Sequence, residues 1–179
     1  MKDSITNILG NCSNSKCNCK LKSEAFIELF ENMAFIFDDK LDSEMTPCYL
    51  VSESEKYHFK VTNLNTVPFS FVKVDACLVT DHSTRCDCII YSEKEFYFIE
   101  IKDVKKNGRS LAKKHAYKQL ESTILRLKEL NFQNRSVFAV VGFSKPIMQV
   151  VSCSSNIQKV RFRDVYNVSL LEGQEIRIN

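Results

Sequence analysis

Apolar residues are densest near the middle of the chain, where two hydrophobic runs flank a short polar segment. The runs cover residues 88–91 and 96–101, and residues 92–95 between them read Ser-Glu-Lys-Glu. Both runs are rich in Ile, Phe and Tyr, which suit a pleated, half-buried surface. The pattern therefore predicts a β-hairpin.

The tip of this hairpin decides which side chains share a face. With Glu93 and Lys94 at the tip, Asp87 faces Glu100, and Lys102 lies two residues beyond Glu100 on the same face. Directly opposed residues in antiparallel strands have Cβ atoms about 4.5–5.5 Å apart. Residues two apart on one strand are separated by about 7 Å. We therefore expect an aspartate, a glutamate and a lysine to converge on one side of the hairpin.

This convergence has a chemical interpretation. Facing carboxylates suit a hard divalent cation, and Mg²⁺ is usually held by one or two carboxylates together with water and substrate phosphate. Such an ion can acidify a bound water, and a lysine can orient that water or stabilise negative charge on a phosphate. A cross-strand ion pair on a solvated face is the simpler alternative. Asp75 is a rival to Asp87 as the metal carboxylate, but it lies farther from Glu100 along the chain, and we favour Asp87.

The motif resembles that of a known family. Asp87, then twelve residues, then Glu100, Ile101 and Lys102 is similar to the PD-(D/E)xK nuclease superfamily, over roughly residues 72–142. The Pro of the family motif is Cys86 in this chain.

The resemblance implies a restriction-endonuclease-like α/β fold with a mixed central β-sheet flanked by helices. It also implies hydrolysis of DNA with Mg²⁺, for which Mn²⁺ substitutes. Asp87, Glu100 and the backbone carbonyl of Ile101 would bind the metal ion, and Lys102 would act on the water or the scissile phosphate. Gln119 resembles a polar residue that projects toward the metal site from the family's following helix.

A long helix is predicted after the hairpin, over residues 110–130. Ser110 is a suitable N-cap, and His115 and Gln119 are four apart, so they share a face. The buried stripe is predicted at Leu111 or Ala112 and at Ala116, Leu120, Ile124 and Leu127. An apolar run at 135–143 predicts a buried strand that completes a crossover unit.

Basic residues are concentrated from the end of the hairpin into the first half of this helix. Residues 102–118 contain seven Lys or Arg and one acid, which suits a surface that binds a phosphate backbone. The residues assigned to nucleic-acid binding are Lys105, Lys106, Arg109, Lys113 and Lys114.

Several further elements follow from the pattern. A short helix is predicted at residues 1–9, and a longer one at residues 23–38 with Ser23 as its N-cap. Short strands are expected at 48–52, 57–62, 69–80, 149–153, 160–162 and 175–178.

The cysteines and the first-helix glutamates raise two further metal hypotheses. Cys12, Cys17 and Cys19, with Cys48 as a distant fourth, could bind zinc, although a flexible segment with free thiols is favoured. Glu24, Glu28 or Glu31 could add a ligand to the Mg²⁺ site, although a solvated helix face is favoured. Cys86 and Cys88 are predicted to pack in the core, on the face that carries Ile99 and Ile101.

Composition sets the broad class. The 179 residues are 44% hydrophobic and 26% charged, with a net charge of +3, which is typical of a globular domain. We divide the chain into an N-terminal segment, 1–20, and one domain, 21–179. The absence of a long apolar run predicts no membrane contact, and the eight scattered cysteines indicate reduced thiols and a cytoplasmic location.

The leading functional hypothesis is a Mg²⁺-dependent nuclease that cuts DNA. We expect low intrinsic sequence specificity or a protein partner that supplies targeting. A role in phage defence, repair or a mobile element is analogy with the family. The oligomeric state is left open, and a dimer is compatible with the sequence. The main alternative is a catalytically silent module on the same fold that binds nucleic acid or protein. A weaker alternative is an adaptor protein in which the N-terminal cysteines bind a structural zinc ion.

Overall fold

Two β-sheets stack face to face, and helices cover the outer face of the larger sheet. The computed structural model describes residues 1–10, 25–38, 47–79, 83–104, 108–132, 134–144 and 153–179. In these ranges the fold is mixed α/β, as predicted. The helices are α1 (Lys2–Leu9), α2 (Arg109–Arg126) and α3 (Cys153–Tyr166). The strands are β1 (Phe26–Leu29), β2 (Met33–Phe37), β3 (Tyr49–Val51), β4 (Phe59–Asn63), β5 (Phe69–Lys73), β6 (Cys88–Tyr91), β7 (Glu95–Lys102), β8 (Ser136–Phe143), β9 (Ser169–Gly173) and β10 (Glu175–Ile178).

The larger sheet has the strand order β1-β5-β6-β7-β8-β9. Strands β1, β5, β6 and β7 pair antiparallel, whereas β7, β8 and β9 run parallel. The chain therefore crosses over through α2 from β7 to β8, as the sequence predicts, and again through α3 from β8 to β9. The second sheet has the order β10-β4-β2-β3.

The predicted hairpin is confirmed, together with its register. Cys88 pairs with Ile99 and Tyr91 pairs with Phe96. This register follows from the sequence because the period-2 alternation and the short polar loop allow few other pairings that bury both apolar runs.

Two hydrophobic cores lie on the two faces of β7. Phe96 and Phe98 pack with α2, and Tyr97, Ile99 and Ile101 pack between the two sheets. The sheets approach closely at Gly142, where an added Cβ would lie 2.7 Å from Cδ2 of Phe59. Successive side chains of a strand point to opposite faces, and Glu100 and Lys102 alternate with Ile99 and Ile101 along β7. Glu100 and Lys102 therefore lie on the face that α2 covers.

The predicted helix at 23–38 is wrong, because the described part of this segment forms β1 and β2. The two strands belong to different sheets: β1 pairs with β5 and β2 pairs with β4. The apolar spacing fits a helix, but the Phe- and Ile-rich composition favours strands. Pairing with distant strands decides the outcome.

Other boundaries also differ from the prediction. Residues 160–162 lie in α3 and not in a strand. Helix α2 begins at Arg109 with Gly108 as its N-cap, so Ser110 is not the cap. The predicted strand at 69–80 ends at Lys73, and Leu111 is exposed while Ala112 is buried. The helix at 1–9 and the strands at 48–52, 57–62, 135–143 and 175–178 are confirmed to within two residues.

Some predictions fall on residues that the structure does not describe. These are Cys12, Cys17, Cys19, Glu24, Lys105, Lys106 and most of the predicted strand at 149–153. Within the described ranges, no helix is long and apolar enough to cross a membrane.

Candidate active site

Asp87 and Glu100 both lie at the open end of the β6–β7 hairpin. Asp87 directly precedes Cys88, the last residue of β6 that is paired with β7, and Cys88 pairs with Ile99, the residue before Glu100. Asp87 is 1% exposed and Glu100 is 0% exposed. The backbone N–H of Asp87 donates to the carbonyl of Ile99 at 3.1 Å, and its Oδ2 accepts a 2.6 Å hydrogen bond from the backbone N–H of Ile101. The carboxylate of Asp87 thus acts as a hydrogen-bond acceptor for β7 just beyond Cys88, where the backbone pairing of β6 with β7 ends.

The backbone around Asp87 is fixed by the loop that follows β5. The carbonyl of Asp87 accepts hydrogen bonds from the backbone N–H groups of Val74 at 3.0 Å and Asp75 at 3.2 Å. The rival carboxylate, Asp75, is engaged elsewhere, since its Oδ1 accepts a 2.6 Å hydrogen bond from Nε of Arg85. Asp75 is therefore the partner of Arg85, and Asp87 remains the candidate carboxylate beside Glu100.

Lys102 joins the hairpin to the covering helix. Its ammonium donates to Oε1 of Glu100 and, at 2.8 Å, to Oε1 of Gln119 on α2. The Lys102 side chain is 14% exposed, so this pair is largely shielded from solvent screening. The structure therefore brings together four of the predicted site residues, Asp87, Glu100, Lys102 and Gln119.

Helix α2 is held against the segment that precedes Asp87. The amide nitrogen of Gln119 donates to the carbonyl of Arg85 at 3.1 Å. One turn later, Oγ1 of Thr123 accepts a 2.8 Å hydrogen bond from the backbone N–H of Cys86 and donates to the carbonyl of Gln119 at 3.0 Å. These contacts fix the side-chain amide of Gln119 between the hairpin and the helix.

Glu172 is a half-buried acid near the site that the sequence analysis missed. Glu100 pairs with Val141 on β8, and Val141 pairs with Glu172 on β9, so the three residues form one row across the sheet. Neighbouring strands are about 4.8 Å apart, which places Glu172 about 10 Å from Glu100. Oε1 of Glu172 accepts a 2.7 Å hydrogen bond from the hydroxyl of Tyr117, and Oε2 pairs with Lys113. No local motif marks Glu172, because only the parallel pairing of two distant strands brings it here.

The predicted nucleic-acid-binding residues have different surroundings. Lys113 is paired with Glu172, and Lys114 is exposed. The guanidinium of Arg109 lies over the ring of Phe143, with Cζ 5.4 Å from the ring centroid. The basic residues on α2 therefore lie on two flanks of the helix.

The cysteines beside Asp87 are buried, free thiols. Cys88 lies in the core between the sheets with Ile99 and Ile101, as predicted, whereas Cys86 packs in the core under α2. The shared face predicted for the two is therefore wrong. Burial raises the pKa of the Cys86 thiol well above its usual value, and the nearby charges of Glu100 and Asp87 raise it further. Cys86 remains a neutral, apolar neighbour of the carboxylates.

The oxygen atoms of this site bear on whether it can hold a metal ion. Among the described residues, no group of three or more His, Cys, Asp or Glu side chains is arranged to hold one. Asp87 and Glu100 nevertheless supply hard oxygen donors of the kind that Mg²⁺ binds. The hydrogen bonds from Ile101 and Lys102 each use one oxygen of a carboxylate, which has about four acceptor positions when ionised.

The backbone of Ile101 offers a further oxygen. The N–H and C=O of one residue in an antiparallel ladder point to the same neighbouring strand. Because the N–H of Ile101 points to Asp87, its carbonyl is directed to that side as well. Two carboxylates and one carbonyl are oxygen donors of the kind that Mg²⁺ takes.

Comparison of the chain with family models, with curated proteins and with solved structures gives no significant match.

Proposed function

We propose that the protein is a Mg²⁺-dependent nuclease of the PD-(D/E)xK type, with a restriction-endonuclease-like arrangement of its sheet and helices, that hydrolyses phosphodiester bonds of DNA. The observation that carries the proposal is the hydrogen bond from the N–H of Ile101 to the carboxylate of Asp87, next to Glu100, with the ammonium of Lys102 bonded to Glu100. Mn²⁺ is expected to replace Mg²⁺.

Charge in a buried setting supports a cation at this position. The carboxylates of Asp87 and Glu100 are buried at the same end of the hairpin, and the side chain of Lys102, whose ammonium bonds to Glu100, is 14% exposed. Burying an excess of like charge is costly unless a counter-ion compensates it. A bound divalent cation would offset this charge, acidify a water ligand and stabilise negative charge on the phosphate.

The side chains then have separate roles. Asp87 and Glu100 bind the metal ion, and the carbonyl of Ile101 is the third protein ligand. Lys102 orients the attacking water or stabilises charge on the scissile phosphate, because its ammonium lies beside the metal-binding carboxylate Glu100. Gln119 is a positioning residue, since it contacts Lys102 and holds the ammonium in place.

The surface beside the site supports nucleic acid as the substrate. Lys114 is exposed on α2, and Arg109 begins this helix. Lys105, Lys106 and Lys113 complete the proposed backbone-binding set. Side chains of this kind contact phosphates without reading sequence. Low sequence specificity, or a protein partner that supplies targeting, is therefore part of the proposal.

Cleavage assays on matched variants test the proposal. Plasmid and single-stranded DNA are incubated with Mg²⁺ or Mn²⁺ and with wild type, Glu100→Gln or Lys94→Ala. Glu100→Gln keeps the shape of the side chain and an acceptor for Lys102, but removes the charge that binds the metal. Lys94 is exposed at the far end of the same hairpin. We expect wild type and Lys94→Ala to cut, and Glu100→Gln to be inactive.

Calorimetric titration with Mn²⁺ separates the proposal from its main alternative. An active nuclease should show a Mn²⁺ site that Glu100→Gln abolishes. Nucleic-acid binding without cleavage and without such a site would instead identify a silent binding module. Equal cleavage by wild type and Glu100→Gln would overturn the assignment of the site.

A further inference from the structure

A cationic pocket opens on the other side of Gln119 from Lys102. Its volume is about 360 Å³, and its lining includes Ser83, Thr84, Arg85, His115, Lys118 and Gln119. The pocket lies between the segment that precedes Asp87 and one flank of α2. Every side chain in this set can donate a hydrogen bond.

The helix contributes its three side chains from one face. His115, Lys118 and Gln119 are spaced three and four residues apart, so they are neighbours on the surface of α2. His115 and Lys118 are exposed, whereas Gln119 is half-buried. The ammonium of Lys118 and the imidazole of His115 are thus available to a ligand that enters from solvent.

The acid in the pocket is matched by an arginine. Asp75 also lines the pocket, and its Oδ1 is bonded to Nε of Arg85 at 2.6 Å. The Nη1 of Arg85 donates to the carbonyl of Ser83 at 2.7 Å. Because Asp75 and Arg85 offset each other, Lys118 gives the pocket a net positive charge.

Gln119 connects this pocket to the proposed catalytic centre. One end of its amide bonds to Lys102 at 2.8 Å, and the other bonds to the carbonyl of Arg85 at 3.1 Å. A ligand in the pocket and a scissile group near Lys102 would therefore be separated by a single side chain. Two binding positions this close together suit neighbouring repeat units of one polymeric ligand.

We propose that this pocket binds a backbone phosphate of the nucleic-acid strand that enters the active site, next to the scissile phosphate. The inference rests on the proposed nuclease function and adds a positioning site to it. Lys118 supplies the charge, and His115 and the hydroxyls of Ser83 and Thr84 donate hydrogen bonds to phosphate oxygens. The contact holds the strand in register without reading its bases.

Binding measured without cleavage tests the pocket directly. The affinity of the full chain for a labelled DNA duplex is measured by fluorescence anisotropy in EDTA, over a series of salt concentrations. Each phosphate contact contributes about 0.9 to the slope of log K against log salt for duplex DNA. We expect Lys118→Gln to weaken binding at low salt by about threefold or more and to reduce this slope by about 0.9. His115→Gln in the same background should weaken binding further.

A matched control lies just beyond the end of α2. Lys128 is exposed ten residues beyond Lys118, and it does not line the pocket. Lys128→Gln removes the same charge, and we expect it to leave the salt slope unchanged. In parallel, cleavage with Mg²⁺ should show a larger effect of Lys118→Gln on KM than on kcat.

The outcomes separate this inference from the proposed function. If wild type cleaves DNA but Lys118→Gln keeps the wild-type slope, the pocket assignment is overturned and the nuclease stands. If the slope falls as expected but wild type does not cleave with either metal, the phosphate site stands and the nuclease fails. A slope that falls equally in Lys128→Gln would reveal a general charge effect and overturn the pocket. Wild type that neither binds nor cleaves overturns both.

Discussion

The side-chain oxygen of Gln119 accepts a 2.8 Å hydrogen bond from the ammonium of Lys102, which joins helix α2 to strand β7 at the proposed catalytic centre. The two residues are 17 positions apart in sequence. Their contact means that the orientation of the lysine depends on the packing of the helix. Substitution of either residue can therefore test this contact.

Lys102→Ala should abolish turnover, with a loss in kcat of at least about 100-fold, as for other groups that stabilise developing charge. Affinity for Mn²⁺ should stay similar or rise slightly, because a positive charge near the site is lost. The apo protein should also lose stability, since Glu100 is fully buried beside the missing ammonium. We would measure single-turnover cleavage, Mn²⁺ calorimetry and thermal unfolding.

Lys102→Ala also distinguishes a catalytic lysine from a lysine that only forms a structural ion pair. A bound cation replaces part of the lost charge, so Mn²⁺ should raise the Tm of Lys102→Ala more than that of wild type. A structural pair would change stability alone, and Mn²⁺ would have no effect on Tm. An active Lys102→Ala protein would contradict the catalytic assignment.

Two substitutions of Asp87 should separate its charge from its hydrogen bond. Asp87→Asn retains an oxygen that can accept from the N–H of Ile101 and removes the repulsion with Glu100, so the apo fold should be as stable as wild type or slightly more stable. Asp87→Ala leaves that buried N–H without its acceptor, which costs about 1–3 kcal/mol. Urea unfolding in EDTA measures both.

Metal binding provides the second readout for Asp87. Both variants should lose the Mn²⁺ site in calorimetry, although only Asp87→Ala should lose stability. Retention of full Mn²⁺ affinity in Asp87→Asn would show that this carboxylate is not a ligand.

Gln119→Met should lower kcat while leaving Mn²⁺ affinity unchanged. It removes the acceptor that holds Lys102, and a displacement of about 1 Å of a reacting group can cost about 100-fold in rate. Gln119→Glu retains an acceptor for Lys102 and should recover part of kcat. Equal kcat in wild type and Gln119→Met would show that the contact is not needed to position Lys102.

Gly142→Ala should destabilise the stacking of the two sheets. The new Cβ would lie 2.7 Å from Cδ2 and 3.1 Å from Cε2 of Phe59, which is fully buried. Overpacking of this kind costs about 1–3 kcal/mol. Gly108→Ala is the matched control, because its nearest neighbour is Cβ of Val104 at 3.9 Å. Chemical unfolding of both variants measures the difference.

A double-mutant cycle assigns the cause of that destabilisation. Phe59→Leu should be less destabilising in the Gly142→Ala background than in wild type, since the ring that clashes has been removed. Additive effects would show that the strain at Gly142 does not arise from Phe59.

The buried thiols should make the protein less stable at alkaline pH. Burial raises the pKa of Cys86 and of Cys88 above the usual value of 9.0. Above about pH 9 the unfolded chain loses these protons while the folded chain keeps them, so stability falls as the pH rises. Unfolding free energies at pH 7.5 and pH 10 measure this. Iodoacetamide should label both cysteines in urea and spare them in the native state, and rapid native labelling would contradict their burial.

The sequence by itself determined the elements in which local pattern and short connections agree. The hairpin register follows from the alternation of residues 88–101 around a short loop, and it places Asp87 and Glu100 at the same end of the hairpin without knowledge of the rest of the fold. The apolar stripe of α2 and the apolar run of β8 can also be recognised from the local sequence. The stripe has helical spacing over the length of a helix, and the run is continuous over the length of a buried strand.

Tertiary structure decided the features that depend on distant partners. Residues 26–37 have helix-like spacing but form two strands, because β5 and β4 offer them pairing edges in separate sheets. The contact of Gln119 with Lys102 depends on how α2 lies on the sheet, and Glu172 reaches the same row as Glu100 through two parallel pairings. Non-local pairing and packing carry most of the stabilising free energy, so a weak local preference gives way when the two disagree.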